Sequence, residues 1–148
     1  MTTEIDWDNP IDPKPGWTLD HVELYVNSGG TEGQFWRDTQ TLLLTTLGRV
    51  SGKPVRTPLI YGEDKGRYFI VASKGGAPED PLWYRNLSAH PEVRIQVGPE
   101  ILRATARTAT SAERAQYWPL MVGHWPAYDE YQTKTDREIP IVVIEPHA

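Results

Sequence analysis

The sequence predicts a mainly antiparallel β fold with flanking helices, an α+β class whose sheet closes into a small barrel, and three observations carry that prediction. The order of elements (strand, hairpin, helix, hairpin, two helices, strand) lacks the βαβ alternation of a parallel sheet. Residues 41–47, TLLLTTL, form a continuous apolar and β-branched run of the kind buried on both faces. Six short strands would also leave exposed edges, and closure hides them.

The elements follow in order. Residues 1–17 hold Pro10, Pro13, Pro15 and Gly16 without hydrophobic periodicity and read as an irregular arm, leaving residues 18–148 as a single domain. From Thr18 to Ser28, Leu19, Val22 and Val26 fit helical spacing, and Gly29-Gly30 ends the helix. The buried run at 41–47 leads through the basic turn Gly48 to Pro54 into a second strand, Arg56 to Glu63, where Pro58 requires an edge or a bulge. Asp64-Lys65-Gly66 then turns this strand onto Arg67 to Ser73 as a hairpin. After a glycine-rich loop, Asp80 as N-cap and Pro81 at the first helical position open a short helix that ends before Pro91. Val93, Ile95 and Val97 alternate with polar residues, and Gly98-Pro99 returns the chain as a strand from Ile101 to Thr108. Thr110 with Glu113 is a capping box launching a helix to about Val122; a short helix at Ala127 to Lys134 and a strand at Ile139 to Glu145 complete the chain.

Composition narrows the function. A net charge of -5 argues against a general nucleic-acid binder, and no stretch approaches the apolar length of a membrane span. The N-terminus has no signal-peptide pattern and the chain has no cysteine, which together point to the cytoplasm and exclude thiol chemistry. The charge is uneven. Six Lys and Arg residues between Arg49 and Lys74 face only Glu63 and Asp64, a local charge of +4 that suits an anion. Trp and Tyr supply 13 of the 15 aromatic residues, and rings with a polar edge suit half-wet pockets as well as cores.

Several chemistries can be set aside. The glycines of Gly48 to Gly52 are too close for a P-loop, and Pro54 stands where such a loop needs a metal-binding hydroxyl. His21, His90, His124 and His147 lack metal-ligand spacing and read as surface or capping residues, and no G-x-S-x-G elbow surrounds a serine. Two small, basic strand-end turns remain, Arg49-Val50-Ser51-Gly52-Lys53 and Ser73-Lys74-Gly75-Gly76, near a Trp83-Tyr84-Arg85-Asn86 run. Backbone N–H groups exposed by small residues, with a neighbouring cation, can cradle a phosphate beside a flat ring.

The strings LLLTTLGRVSGKPVRTPLIY, VASKGGAPEDPLWYRNLSAHPEVRIQVG, ERAQYWPLMV and DEYQTKTDREIPIVVIE, spread over Thr41 to Pro146, resemble the deazaflavin-dependent nitroreductase family, whose members use coenzyme F420. The resemblance implies a split β-barrel related to the flavin-mononucleotide-binding barrels, with the deazaflavin in a groove. Carried over by motif, the coenzyme site would comprise Arg49, Val50, Ser51, Val55, Arg56, Thr57, Pro58, Leu59, Ile60, Val71, Ala72, Ser73, Lys74, Leu82, Trp83, Tyr84, Arg85 and Asn86. Arg49, Arg56 and Lys74, assisted by Arg85, suit the coenzyme's polyanionic tail, and Ser51 and Ser73 can hydrogen-bond. Val50 stands where many relatives carry a base, and Ile60 where some carry Tyr. The aromatic stretch Trp125, Tyr128, Tyr131 matches the family's substrate-facing segment.

The implied function is an F420-dependent reductase that moves a hydride from the deazaflavin C5 to an electron-poor small molecule such as a quinone, an activated alkene or a nitroaromatic. Tyr128 is the expected catalytic residue, orienting the acceptor or donating a proton; no metal is expected. Two alternatives are a non-catalytic F420 carrier and a flavin-mononucleotide-dependent oxidoreductase on the same barrel. Related barrels often pair, so a homodimer is an expectation to test.

Overall fold

The computed structural model describes residues 5–36 and 39–147; the first four residues of the expected arm and the last of the expected domain lie outside this range. The elements are α1 (Trp17–Asn27), β1 (Phe35–Trp36), β2 (Thr39–Leu47), β3 (Pro54–Ile60), β4 (Gly62–Asp64), β5 (Arg67–Val71), a single 3-10 turn (Lys74–Gly76), α2 (Leu82–Ala89), β6 (Glu92–Val97), β7 (Glu100–Thr108), α3 (Ser111–His124), α4 (Ala127–Thr133) and β8 (Ile141–Pro146). No helix among the described residues is long and apolar enough to cross a membrane.

All strand pairings between these elements are antiparallel, in the order β1-β2-β6-β7-β8-β5-β4, with β3 on the other side of β2. The two ends of this curled sheet, β3 and β4, are joined through the single residue Tyr61, whose N–H donates to the Gln40 carbonyl at 3.2 Å. The chain itself thus spans the gap between β3 and β4, where no ladder forms, in an architecture that agrees with the split barrel the resemblance implies.

Period-2 alternation sorts the side chains. Leu42 and Leu44 of β2, Tyr68 and Ile70 of β5, Val93 and Ile95 of β6, Ala104 and Ala106 of β7, and Val142 and Ile144 of β8 share one core with Leu87 of α2. Alternate residues face outward beneath helices: Leu43 meets Val22 and Tyr25 of α1, and Phe69, Val71, Ile141 and Val143 meet Tyr117 and Met121 of α3 and Tyr128 of α4. This double coverage is why the 41–47 run is buried throughout. Truncating a fully buried member such as Leu42 to Ala costs about 2–5 kcal/mol.

Three expectations require correction. The expected hairpin between 56–63 and 67–73 shrinks to β4 against β5, Gly62–Asp64 with Arg67–Phe69; β3 instead pairs along its length with β2, Pro54 to Ile60 against Leu47 to Thr41. Bending at Tyr61 redirects the chain, and the turn residues Lys65 and Gly66 still take the left-handed conformation (φ 54° and 77°) that a tight hairpin needs. Asp80 does not cap α2. Pro81 is the N-cap, and Asp80 accepts from Arg137 Nη1 at 2.9 Å. The sheet also has eight strands instead of six, because the two-residue β1 and the three-residue β4 are too short to leave a pattern in sequence.

The arm runs along β3. Ile11 bridges Val55 in parallel, with Ile11 N–H to the Pro54 carbonyl at 2.8 Å and Arg56 N–H to the Ile11 carbonyl at 2.9 Å, and Arg56 forks onto Asp12 at 2.7 and 2.8 Å.

Candidate functional site

A groove of about 520 Å³ opens where β3, the loop after β5 and three helices converge. Pro58, Leu59 and Ile60 of β3, Val71 at the end of β5, Ser73 to Gly75, Trp83 of α2 and Trp125, Tyr128 and Tyr131 line it together with Trp17, Thr18 and His21 of α1 and Trp36. A cleft of this size, largely aromatic with a few polar groups, is typical of small-molecule sites.

Each wall has a local cause. Helix α1 is fixed from behind: Tyr25 is fully buried, its hydroxyl accepting from Gly98 N–H at 2.7 Å and lying 3.1 Å from the Thr41 carbonyl. Gly30, just beyond the helix, lies so close to the Gly98 carbonyl that a Cβ there would sit 1.7 Å from its oxygen. With Val22 and Tyr25 inward, the first turn of α1 turns Trp17, Thr18 and His21 to the groove. Trp17 stacks on Trp36 with ring centroids 5.7 Å apart, and Trp36 meets Trp125 at 5.6 Å, a continuous aromatic wall from three separate parts of the chain.

The loop after β5 is held by Arg137, which donates to the carbonyls of Ala72, Ser73 and Ala77 and to Asp80 at 2.9–3.2 Å. This clamp supports three successive left-handed residues, Lys74, Gly75 and Gly76 (φ 47°, 63° and 85°), of which the lysine is the uncommon one. Gly76 lets α4 approach: a Cβ there would lie 2.7 Å from the Tyr131 carbonyl. Helix α4 in turn is tied to α3 by Trp118 Nε1 donating to Asp129 at 2.8 Å.

Three groove-lining residues, Thr18, Ser73 and Tyr128, have hydroxyls that make no hydrogen bond with any described residue. Tyr128 is 5% exposed, with Tyr131 and Trp118 edge-on or tilted against its ring at 6.1 and 6.4 Å. Burial pushes its phenol well above the ordinary tyrosine range, so it stays protonated and able to donate a hydrogen bond to a ligand. Lys74 pairs with Glu79 at 3.0 Å, which holds the glutamate below the usual carboxylate range; Arg85 adds to the same effect, so both cations sit at this corner. Among the described residues no cluster of three or more His, Cys, Asp or Glu could hold a metal.

Of the coenzyme residues named from sequence, Pro58, Leu59, Ile60, Val71, Ser73, Lys74 and Trp83 line the groove, as do Trp125, Tyr128 and Tyr131. Ala72 is buried and Leu82 faces solvent, 64% exposed. Tyr84 shares a hydrogen bond with Thr108 at 2.8 Å. Arg49, Val50 and Ser51 lie in the β2–β3 turn beside α2, where the buried Asn86 accepts from Arg49 N–H at 3.1 Å and donates to Thr46 at 3.2 Å. Val55 and Thr57 follow on β3 without reaching the groove lining. Arg56 is occupied by Asp12, while the side chains of Arg49 and Arg85 have no ion pair among the described residues. Sequence reasoning missed Trp17, Thr18, His21, Trp36 and Thr41, which adjacency in the fold brings to the groove and no local motif marks.

The comparisons agree with this architecture. A family model described as F420H(2)-dependent quinone reductase matches residues 17–146. A Mycobacterium tuberculosis protein described as an F420H(2)-dependent quinone reductase is 41% identical over 128 residues, which cover 84% of this chain and 86% of the relative. A solved structure described as an F420-H2 dependent reductase (FDR-A) is 47% identical with a TM-score of 0.67, covering 71% of this chain and 93% of that one. Another, described as a domain-swapped dimer, is 43% identical with a TM-score of 0.70, covering 85% and 95%.

Proposed function

The chain belongs to the F420H(2)-dependent quinone reductase family, and we propose that its coenzyme and acceptor meet in the groove between β3, the Ser73–Gly75 loop and the aromatic corner of α3 and α4. It is an oxidoreductase that uses coenzyme F420 to reduce quinones. When bound, reduced F420 supplies a hydride; the chain's own residues bind, orient and shield the reactants.

The observation that carries the assignment is the presence of groove hydroxyls without protein partners, those of Ser73 and Tyr128 with Thr18 of α1 also among the lining residues, set among flat aromatic walls. The donor set suits a polar-edged ring and a carbonyl acceptor. Pro58 to Ile60 and Val71 give the ring an apolar bed, and the Ser73 hydroxyl meets its polar edge. Lys74, Arg85 and Arg49 provide positive charge for the tail where Glu79 is the neighbouring counter-charge. Trp125 and Tyr131 flank the acceptor, and Tyr128 donates a hydrogen bond to one of its carbonyl oxygens, stabilising charge that grows there as the hydride arrives.

A quinone is the small-molecule partner, and a second copy of the chain is the proposed macromolecular one, supported by the relative described as a domain-swapped dimer. The acidic net charge supports a reading without nucleic acid, and a cytoplasmic location completes it. The test is a titration of the purified protein with F420 and with flavin mononucleotide, followed by single-turnover oxidation of bound reduced F420 by menadione. Selective F420 binding with menadione-dependent oxidation supports the groove, provided Trp83→Ala and Ser73→Ala weaken binding without unfolding. Unchanged affinity in both variants would place the coenzyme elsewhere.

A further inference from the structure

Hydride transfer to a quinone leaves one proton outstanding. The groove lining contains no carboxylate, and its hydroxyls are those of Thr18, Thr41, Ser73, Tyr128 and Tyr131, all poor net acids near neutrality. Tyr128 is poorer still, because burial disfavours its phenolate. Lys74 is engaged by Glu79. One group of a different chemistry lines the same groove: the imidazole of His21, a residue type that serves as general acid and base in catalysis.

Its setting is built. Nε2 of His21 lies 2.6 Å from the Gly33 carbonyl oxygen, which can only accept, so Nε2 carries a hydrogen. Thr41 donates to the same carbonyl at 2.9 Å, with the Gln34 carbonyl at 3.2 Å, and its hydroxyl stands 3.4 Å from Nε2, so the polar contacts gather on that nitrogen. The half-buried ring sits on α1 above the anchored Tyr25, four residues from Trp17, whose indole stacks on Trp36. Nδ1 has no partner among the described residues. With Nε2 committed to the backbone, Nδ1 is the ring nitrogen left for a ligand.

We propose that His21 is a further catalytic residue, the acid that delivers from Nδ1 the second proton a bound quinone needs to become hydroquinone. This rests on the reading of the groove as the acceptor site. The hydride brings two electrons and one proton to the quinone. The second O–H bond forms as the Nδ1–H bond of the imidazolium breaks, water returns a proton to the ring, and the ring proton lost by the oxidised coenzyme goes to solvent. Quinone and reduced F420 thus become hydroquinone and oxidised F420. Tyr128 and His21 divide the work: one holds a carbonyl oxygen by a hydrogen bond it does not surrender, the other gives a proton up.

His21→Gln separates the acid from the anchor, since the glutamine amide can still donate to the Gly33 carbonyl. The expected result is a fall in menadione turnover on the order of 10²-fold, with F420 affinity and melting temperature at wild-type values. In 15N-histidine-labelled protein without coenzyme, long-range 15N–1H spectra should show the neutral His21 ring protonated on Nε2 and bare on Nδ1. Wild-type turnover in His21→Gln, or a neutral ring protonated on Nδ1 and bare on Nε2, overturns the assignment, and so does a turnover loss matched by a lower melting temperature in both His21→Gln and His21→Asn. If the wild-type protein binds F420 yet oxidises none of the reduced form with menadione, the acceptor-site reading fails first, and His21 with it.

Discussion

Tyr128 divides into a ring and a hydroxyl with different neighbours. The ring is packed against Trp118 and Tyr131; the hydroxyl lines the groove without a protein partner. Tyr128→Phe should therefore keep the fold and F420 affinity while lowering menadione turnover, about tenfold for each 1.4 kcal/mol lost from the transition state. Single-turnover rates at wild-type level would remove the hydroxyl from the mechanism. Lys74 offers the complementary test, because Glu79 competes for its ammonium with any anionic ligand. Glu79→Gln should tighten F420 binding by a few-fold and Lys74→Ala weaken it; isothermal titration of both variants checks the pair, and identical affinities would detach that corner from the tail. Sequence reading reached Ser73, Lys74 and Tyr128 because each lies in a motif of consecutive residues. It passed over Trp17, His21 and Trp36, since a stacked pair nineteen positions apart and a ring held by a loop carbonyl arise only once α1 has docked.

At the scale of elements, the site depends on a loop that has little structure of its own. Arg137 gathers the carbonyls of Ala72, Ser73 and Ala77 and the Asp80 carboxylate, and it is largely buried at 17% side-chain exposure. Arg137→Met strands those acceptors at once and should cost about 3–5 kcal/mol, as breaking a buried, hydrogen-bonded pair does; urea unfolding measures it. Arg137→Lys should recover only part, because an ammonium cannot reproduce the planar fork. Helix α3 carries the pH dependence. Glu113 closes the Thr110 capping box and receives both ends of the Arg107 guanidinium at 2.7 and 2.9 Å, and Arg107 first, then the Thr110 N–H, holds its carboxyl at about 2. A carboxyl depressed in the folded state adds stability that is complete above its unfolded value near 4.5 and drains away as pH falls toward 2. Melting temperatures measured down that window should fall less steeply in Glu113→Gln than in wild type. The capping box and the Asp64-Lys65-Gly66 turn were legible because each is a local backbone requirement. The partner of β3 was not, since Pro58 announces an edge strand without saying which neighbour it has, and Asp80 looked like a cap because its true partner lies 57 residues away.

Taken as a whole, the molecule is acidic at -5, yet Arg49 to Lys74 carries +4, and folding decides how much of that charge a ligand can use. The arm neutralises Arg56 through Asp12. Arg67 lies 3.6 Å from Glu113 of α3 and does not line the groove. What remains near the groove and the β2–β3 turn is Arg49, Lys53, Lys74 and, from α2, Arg85. Binding of a polyanionic tail by these surface cations should weaken as salt rises, because screening acts over about 8 Å at physiological ionic strength, whereas the ring's contacts with Pro58, Trp83 and Ser73 should be nearly indifferent to salt. The two contributions separate in a titration of F420 and of a deazaflavin fragment without its phosphodiester and glutamate tail across a salt series. F420 should show the steeper loss of affinity. Arg49→Gln should flatten that slope, and Arg56→Gln should leave it intact while lowering the melting temperature through loss of the Asp12 fork. Equal slopes for the intact coenzyme and the fragment would mean that these cations only keep the acidic chain's own surface in balance, and a flattened slope in Arg56→Gln would mean that the arm releases Asp12 when the coenzyme arrives.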